Sequence, residues 1–567
     1  MRSAYSRTQL FFKSAFLTWV AIGFPIFVFC VVAWRYCTDI PWFDDFDPYP
    51  ISLSIWLKAD TWWEKMTEVL RPNNEHRMIF GKLSMLFYYF FTGQINFRFL
   101  QGVGICFTLG TLFLIFKAFQ TSKLPLWYFV PVAFFLFQFE HYLVYGWAIC
   151  GLQHAPVLFF VTLTTFLLAR NQFYWAVAAA ICANFSMSNG NLVWFVGIGL
   201  LLLQHQYKKL GIWLLVGVCS IYLYLSGMTT LNNESSIPFI MAHPAQTLFG
   251  FFAFLGGIFD LIPNRSLTFR TTPPIIWGGI AVGITFVWWF KIIKNWFSEK
   301  FKSAKSVQLS EFSLFITGLS IFLIANAVII AFLRPRFGFF VMVVSNYKLY
   351  PALFLCVTYF LVLLLLNNPK RQPYAFKGFL VVSIGIWVMT FIHSINIFSE
   401  RRKYLIISAY NQKYNGFGLG LSPDSPQAQY VNSVMEGLEK KEIYSYPHSY
   451  ERIINAIKIQ SNTQTKLLPK IKRDKDINIQ IDDYPYPSGI NDGVYVFFKS
   501  AAQLYVFKMN SLPNTGRNIL KTYVPGVELT LTSGEYRLLP GKYTMGFVEA
   551  KDDNVRAERY QEITITK

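Results

Sequence analysis

The feature that most constrains this chain is a succession of apolar runs that continues to about residue 398 and then stops. A bilayer core is about 30 Å thick, and a helix needs about 20 mainly apolar residues to cross it. Lipid offers no water to unpaired backbone groups, so repeated runs of this kind must be helical. Spans are expected near 15–34, 99–116, 126–139, 155–169, 173–185, 192–203, 210–225, 275–290, 312–333, 349–366 and 378–397, about eleven in all. Several are short, as helices broken around a cavity are. The expected architecture is an all-α polytopic membrane domain over 1–398, a mixed helical connector over 399–475 and a β-sandwich-like domain over 476–567.

Only 14% of the 567 residues are charged, against the roughly one quarter usual for soluble domains. The net charge of +20 does not point to nucleic acid, because no helix-turn-helix, RNA-recognition or zinc-finger pattern accompanies it. Much of it falls in short clusters between apolar runs: Lys117 and Lys123, Arg170, Lys208 and Lys209, Lys291 to Lys305, and Lys370 to Lys377. If the N-terminus is cytoplasmic, the positive-inside rule places all of these clusters on the cytoplasmic side and the C-terminus outside. The apolar stretches Met78–Phe91 and Leu248–Phe259 would each invert that order, so both are expected as interfacial or re-entrant segments on the outer face. Ala15–Trp34 has the length of a full span and no small-residue cleavage site after it, which reads as an uncleaved first helix. Seven cysteines, without a CxxC pair and with none in the polar tail, do not form a disulfide framework or a zinc motif.

On this topology the outer loops collect the chemistry. Asp44 and Asp45 follow the first span between Trp42, Phe43 and Phe46. Carboxylates among aromatics at a membrane surface are costly to desolvate. One can act as a base on a hydroxyl while its neighbour tunes it; a solvated turn or a helix cap is the structural alternative. Glu75, His76 and Arg77 open the Met78–Phe91 segment. Arg77 and Arg336 can each grip a phosphate through two parallel hydrogen bonds, or merely anchor the surface by snorkelling. Arg334 has the same two readings. Glu140, Gln153, Asn189 and Lys348 complete the polar set at this face.

Four elements together resemble the GT-C class of membrane glycosyltransferases, in particular bacterial enzymes that modify O-antigen or other surface polysaccharides. They are Asp44-Asp45, Asn74-Glu75-His76-Arg77, Ser188-Asn189-Gly190 and Arg336-Phe337-Gly338. Where such proteins carry a Ser-Arg-Tyr element, this chain reads Ser345-Asn346-Tyr347-Lys348, with Lys348 as the candidate for the displaced charge. The likeness covers roughly the first 400 residues and implies a sugar donor on a polyprenyl phosphate and a glycan or glycolipid acceptor at the outer leaflet. It also implies Asp44 or Asp45 as base, Arg77, His76, Arg336 and Lys348 at the donor phosphate, and Glu75, Glu140, Gln153 and Asn189 at the substrate. No metal and no cofactor is expected. The implied location is a bacterial inner membrane, with the C-terminal domain periplasmic. A flippase for a lipid-linked glycan would place ionisable groups along its spans, and these spans are nearly free of charge. A non-catalytic scaffold with an external binding domain is the other alternative.

In the tail, apolar residues at 430, 431, 434, 435 and 438 suit an amphipathic helix over Gln427–Lys440. Gly493–Phe498, Leu504–Phe507, Val527–Leu531, Tyr536–Leu539, Tyr543–Val548 and Ile563–Thr566 read as strands, which suggests a β-sandwich.

Overall fold

The computed structural model describes residues 2–74, 76–228, 236–263, 265–302, 309–459, 463–474, 476–513, 526–534, 537–551 and 553–566, without the side chains of 2–14, 298–302 and 513. The chain is mostly helical up to residue 458 and β-rich beyond it. Among the described residues, eight helices are long and apolar enough to cross a membrane: Ala15–Tyr36, Phe97–Gln120, Ala148–Ala169, Tyr207–Leu225, Leu267–Phe297, Glu311–Leu333, Leu349–Leu366 and Gln372–Asn415. Leu126–Leu136, Phe173–Asn184 and Ser188–Leu203 are shorter apolar helices. They occupy the three other places where the sequence suggests a span.

The first of these short helices lies against protein. In Leu126–Leu136 every side chain from Tyr128 on is buried, and the helix stops where Phe137 leaves helical dihedrals. Its 11 residues span about 17 Å, well short of the bilayer core. Between the next two, Met187–Leu192 makes a tight turn at Gly190, where an added Cβ would lie 1.8 Å from the Ala183 carbonyl oxygen. The two stretches read as re-entrant take distinct forms. Met78–Phe91 becomes a 14-residue helix, Ile79–Thr92, stopped by Gly93 in a left-handed conformation. Leu248–Phe259 is split between the end of the helix Pro244–Leu255 and the short turn Gly257–Phe259, and Pro244–Leu255 meets Ser236–Ala242 at 103°.

The helix Gln372–Asn415 has 44 residues and crosses the composition boundary at 398 without a break. Beyond that point its polar side chains hold the β-rich region. The Asn411 amide donates to the Val506 carbonyl at 2.6 Å, Asn415 donates to the Leu504 carbonyl at 2.9 Å, and Glu400 pairs with both Lys403 and Lys508.

The β-rich region contains β1 (Lys470–Arg473), β2 (Asp476–Tyr484), β3 (Gly493–Lys499), β4 (Leu504–Lys508), β5 (Asn510–Pro513), β6 (Val527–Gly534), β7 (Gly541–Lys551) and β8 (Asn554–Ile565). They form two antiparallel four-stranded sheets, ordered β1-β2-β6-β5 and β4-β3-β7-β8. Period-two alternation decides which side chain faces what. Val494, Val496 and Phe498 of β3 join Ile477, Ile479 and Leu529 of the other sheet in one apolar cluster, while Tyr495 and Phe497 join the cluster of the helices. The strand expected over Tyr536–Leu539 is not formed at residues 537–539; residue 536 lies outside the described residues. The amphipathic tail helix runs from Pro426 to Lys440, capped by the Ser425 hydroxyl accepting from the Ala428 N–H.

Candidate functional site

One end of the helical bundle carries a cavity of about 740 Å³. It is walled by the loop after the first helix, the residues before Ile79–Thr92, the start of Ala148–Ala169, the 334–347 loop and the tail helix. Asp44, His76, Gln153 and Arg336, four residues singled out in the sequence, line this one space although they lie up to about 290 positions apart.

The loop is fixed by Asp45. Its side chain is 1% exposed, and its two oxygens accept from the Trp42 N–H at 2.9 Å and the Ile149 N–H at 2.8 Å. Ile149 sits in the first turn of Ala148–Ala169, so the carboxylate caps a helix N-terminus, where donors are unpaired and the helix dipole favours negative charge. Burial pushes the Asp45 carboxyl up to about 7, and the two N–H groups and Arg401 hold it from rising further. The Trp42 ring packs edge-on against Trp147 at 4.5 Å, and Trp147 donates to the Trp42 carbonyl. The Arg401 guanidinium lies 4.1 Å from the Trp42 ring. Phe43 donates its N–H to the Leu419 carbonyl at 2.7 Å, so the tail grips the same loop.

With Asp45 committed to the backbone, Asp44 faces the cavity. Its carboxyl is raised above the ordinary carboxylate range by burial first and by the negative charge of Asp47 second. Asp47 also lines the cavity, but its oxygens are engaged by Arg71 at 3.0 Å and Asn73 at 2.5 Å. Arg71 in turn pairs with the buried Glu68, which pairs with the buried Lys82. Basic side chains reach the cavity from two sides: His76 and Arg71 from the first loop, Arg334 and Arg336 from the late one. The Arg336 guanidinium packs 4.8 Å from the Phe337 ring. The Arg334 Nε is buried with no hydrogen-bond partner among the described residues, although its guanidinium lies 5.9 Å from the same ring.

Other candidates lie elsewhere. Arg77 does not line the cavity. Its guanidinium donates to the carbonyls of Tyr224, Leu70 and Ser226, one from each nitrogen, tying the first loop to the end of Tyr207–Leu225. Lys348 and Glu140 pair with each other beside a separate cavity of about 250 Å³. The Asn189 amide donates to Asn326 at 3.0 Å and to the Tyr350 hydroxyl at 2.8 Å inside the bundle. Glu75 lies outside the described residues.

Several cavity residues had no place among the sequence candidates, Asp47, Arg71, Gln427 and Tyr430 among them. Asp47 and Arg71 carried a local signal, being charged residues of the same first loop. Gln427 and Tyr430 of the tail helix carried none, because only the fold brings them to this end.

No protein-family model, curated protein or solved structure matches the chain. The geometry of the cavity therefore bears the weight of the functional reading.

Proposed function

We propose that this chain is a membrane glycosyltransferase that moves a sugar from a polyprenyl-phosphate donor to a hydroxyl of a cell-surface glycan or glycolipid. One observation carries the reading: a half-buried carboxylate, Asp44, shares a 740 Å³ cavity with Arg334, Arg336 and His76. The acceptor oxygen forms a bond to the anomeric carbon as the bond from that carbon to the phosphate oxygen breaks. The acceptor proton goes to Asp44. The electron pair leaves with the phosphate, whose growing charge meets the arginines and, when protonated, His76. A single displacement of this kind inverts the anomeric configuration. The aromatic wall, with Phe43, Trp147, Phe337 and Tyr430, suits the apolar faces of sugar rings.

The reading includes a topology. The eight long and three short apolar helices act as eleven membrane segments, with the N-terminus cytoplasmic and the cavity and tail on the outer side of a bacterial inner membrane. The basic clusters support that orientation. The apolar cluster shared by the two sheets supports a β-sandwich, packed on the extended last helix. Orientation is checked by impermeant maleimide labelling in a cysteine-free background. Cysteine at exposed Asp60 should react in intact cells, and cysteine at exposed Lys208 only after permeabilisation. Reaction of the first only after permeabilisation overturns the orientation and the transferase reading with it.

The activity itself is tested with purified chain in liposomes holding a polyprenyl-phosphate sugar and a glycan acceptor, together with mass analysis of surface glycans from cells with and without the protein. A glycan lighter by one sugar residue in its absence is expected. Identical glycans and no transfer in liposomes would refute the assignment.

A further inference from the structure

Away from the cavity, three arginines from three helices meet where the first span ends. Arg35 is exposed at the end of the first helix, Arg98 lies in the first turn of Phe97–Gln120, and Arg402 lies in the extension of Gln372–Asn415. The Arg98 guanidinium stacks 3.9 Å from the Trp34 ring and donates to the Trp34 carbonyl, which fixes it beside Arg35. The Tyr36 ring packs 5.8 Å from the Phe398 ring, one turn before Arg402, and Arg402 is within electrostatic reach of both Arg35 and Arg98.

Three like charges held near one another repel, and among the described residues no carboxylate is paired with them. Asp39, which interacts electrostatically with Arg98, is engaged elsewhere, accepting from Asn96 at 3.0 Å and from the Phe97 N–H at 2.6 Å. Arg402 uses one nitrogen, Nη1, on the Ile490 carbonyl and the Asn491 side chain. The Arg98 Nε is buried and has no hydrogen-bond partner among the described residues.

A second observation says what would satisfy them. Phe27, Val31 and Trp34 are 69%, 47% and 72% exposed. Their spacing puts them on one face of the first helix, leading up to Arg35. An apolar stripe that ends in arginines without a salt bridge among the described residues matches a molecule with hydrocarbon chains and an anionic head.

We propose that Arg35, Arg98 and Arg402 form a binding site for the phosphate of an anionic phospholipid, whose chains lie along Phe27, Val31 and Trp34. The site is independent of the transferase reading. Arginine suits it because a guanidinium grips phosphate oxygens in pairs and stays charged. The lipid would join the first span, the second long helix and the tail's supporting helix at one point.

The test is native mass spectrometry of the full chain in detergent, titrated with phosphatidylglycerol and, separately, with phosphatidylcholine. The wild type should retain phosphatidylglycerol preferentially. A variant with R35Q, R98Q and R402Q should lose affinity about a hundredfold, each basic group near an anionic lipid contributing about one kcal/mol. The single R35Q change, at an exposed position, should lose about fivefold and keeps the test decisive if the triple variant does not fold. Wild-type retention in R35Q and the triple variant, or equal retention of both lipids, overturns the site. Displacement of the lipid by millimolar inorganic phosphate overturns the lipid assignment in favour of a free phosphate ligand.

Discussion

Replacing Asp44 with Asn is expected to lower sugar transfer by about 10²–10⁴-fold, the range ascribed to a positioned general base, with the fold intact. The side chain lines the cavity and, among the described residues, makes no hydrogen bond that holds the loop, so the amide removes basicity and little else. Asp45→Asn should behave differently. The Asp45 carboxylate accepts from two backbone N–H groups, and an amide can offer only one oxygen to them while turning its NH₂ toward the other donor. That variant should lose about 1–3 kcal/mol of stability, and its transfer should fall only as folded protein is lost. Thermal melting alongside transfer assays separates the two. The pH dependence gives a further sign. A base must be ionised to act, so transfer should rise with pH through the Asp44 pKa. Burial and Asp47 raise that pKa above its ordinary 3.8, so the acid limb should sit above the usual carboxylate range. Normal transfer by Asp44→Asn in folded protein would remove the proposed base.

Much of this architecture is written in short-range pattern. Apolar run length marked every long helix, because lipid permits no other way to satisfy the backbone. It could not separate a long helix from a short one: Leu126–Leu136 and Ser188–Leu203 are apolar as well, and their ends are set by tertiary contacts such as the approach of Gly190 to Ala183. Strand alternation showed the β-rich tail, whereas the partner of each strand depended on contacts across the sheets. At the site, the acidic pair was visible and its division of labour was not. Which aspartate caps a helix depends on where Ile149 lies, about a hundred residues away. Arg77 was read as either a phosphate ligand or a snorkelling anchor, and the resemblance implied the donor phosphate. The carbonyls that occupy it belong to residues around 225 and to Leu70, and local pattern carries no trace of the long-range pair. Gln427 and Tyr430 reach the cavity for the same non-local reason.

Lys348→Met is expected to destabilise the protein by about 3–5 kcal/mol, the cost of removing one partner of a buried ion pair. The lysine is 2% exposed. It pairs with Glu140, donates to the Gly257 carbonyl at 2.6 Å and lies 3.5 Å from Asp260. Asp260 is also held by Arg270, at 3.1 Å from Nε and 2.7 Å from Nη2. Four charges from four parts of the chain thus close one network, and Lys348 is its centre. Burial already pushes the Glu140 carboxyl up to about 8 despite the lysine beside it, so loss of that charge leaves a carboxyl with no favourable ionised state. It also frees the Gly257 carbonyl, which no solvent reaches easily. Because the penalty comes from the partner left behind, a second change should repair part of it: Glu140→Gln with Lys348→Met should melt above Lys348→Met alone. The comparison discriminates between two roles. A lysine that binds the donor phosphate would, on substitution, raise the KM for donor and leave the melting temperature near wild type, and Glu140→Gln would rescue nothing. A lysine that locks the 334–348 loop against the 137–147 segment would show a low melting temperature, partial rescue by the double change, and transfer proportional to the folded fraction. The geometry favours the second, because the Lys348 ammonium is already enclosed by Glu140, Gly257 and Asp260 and does not line the cavity that Asp44 enters.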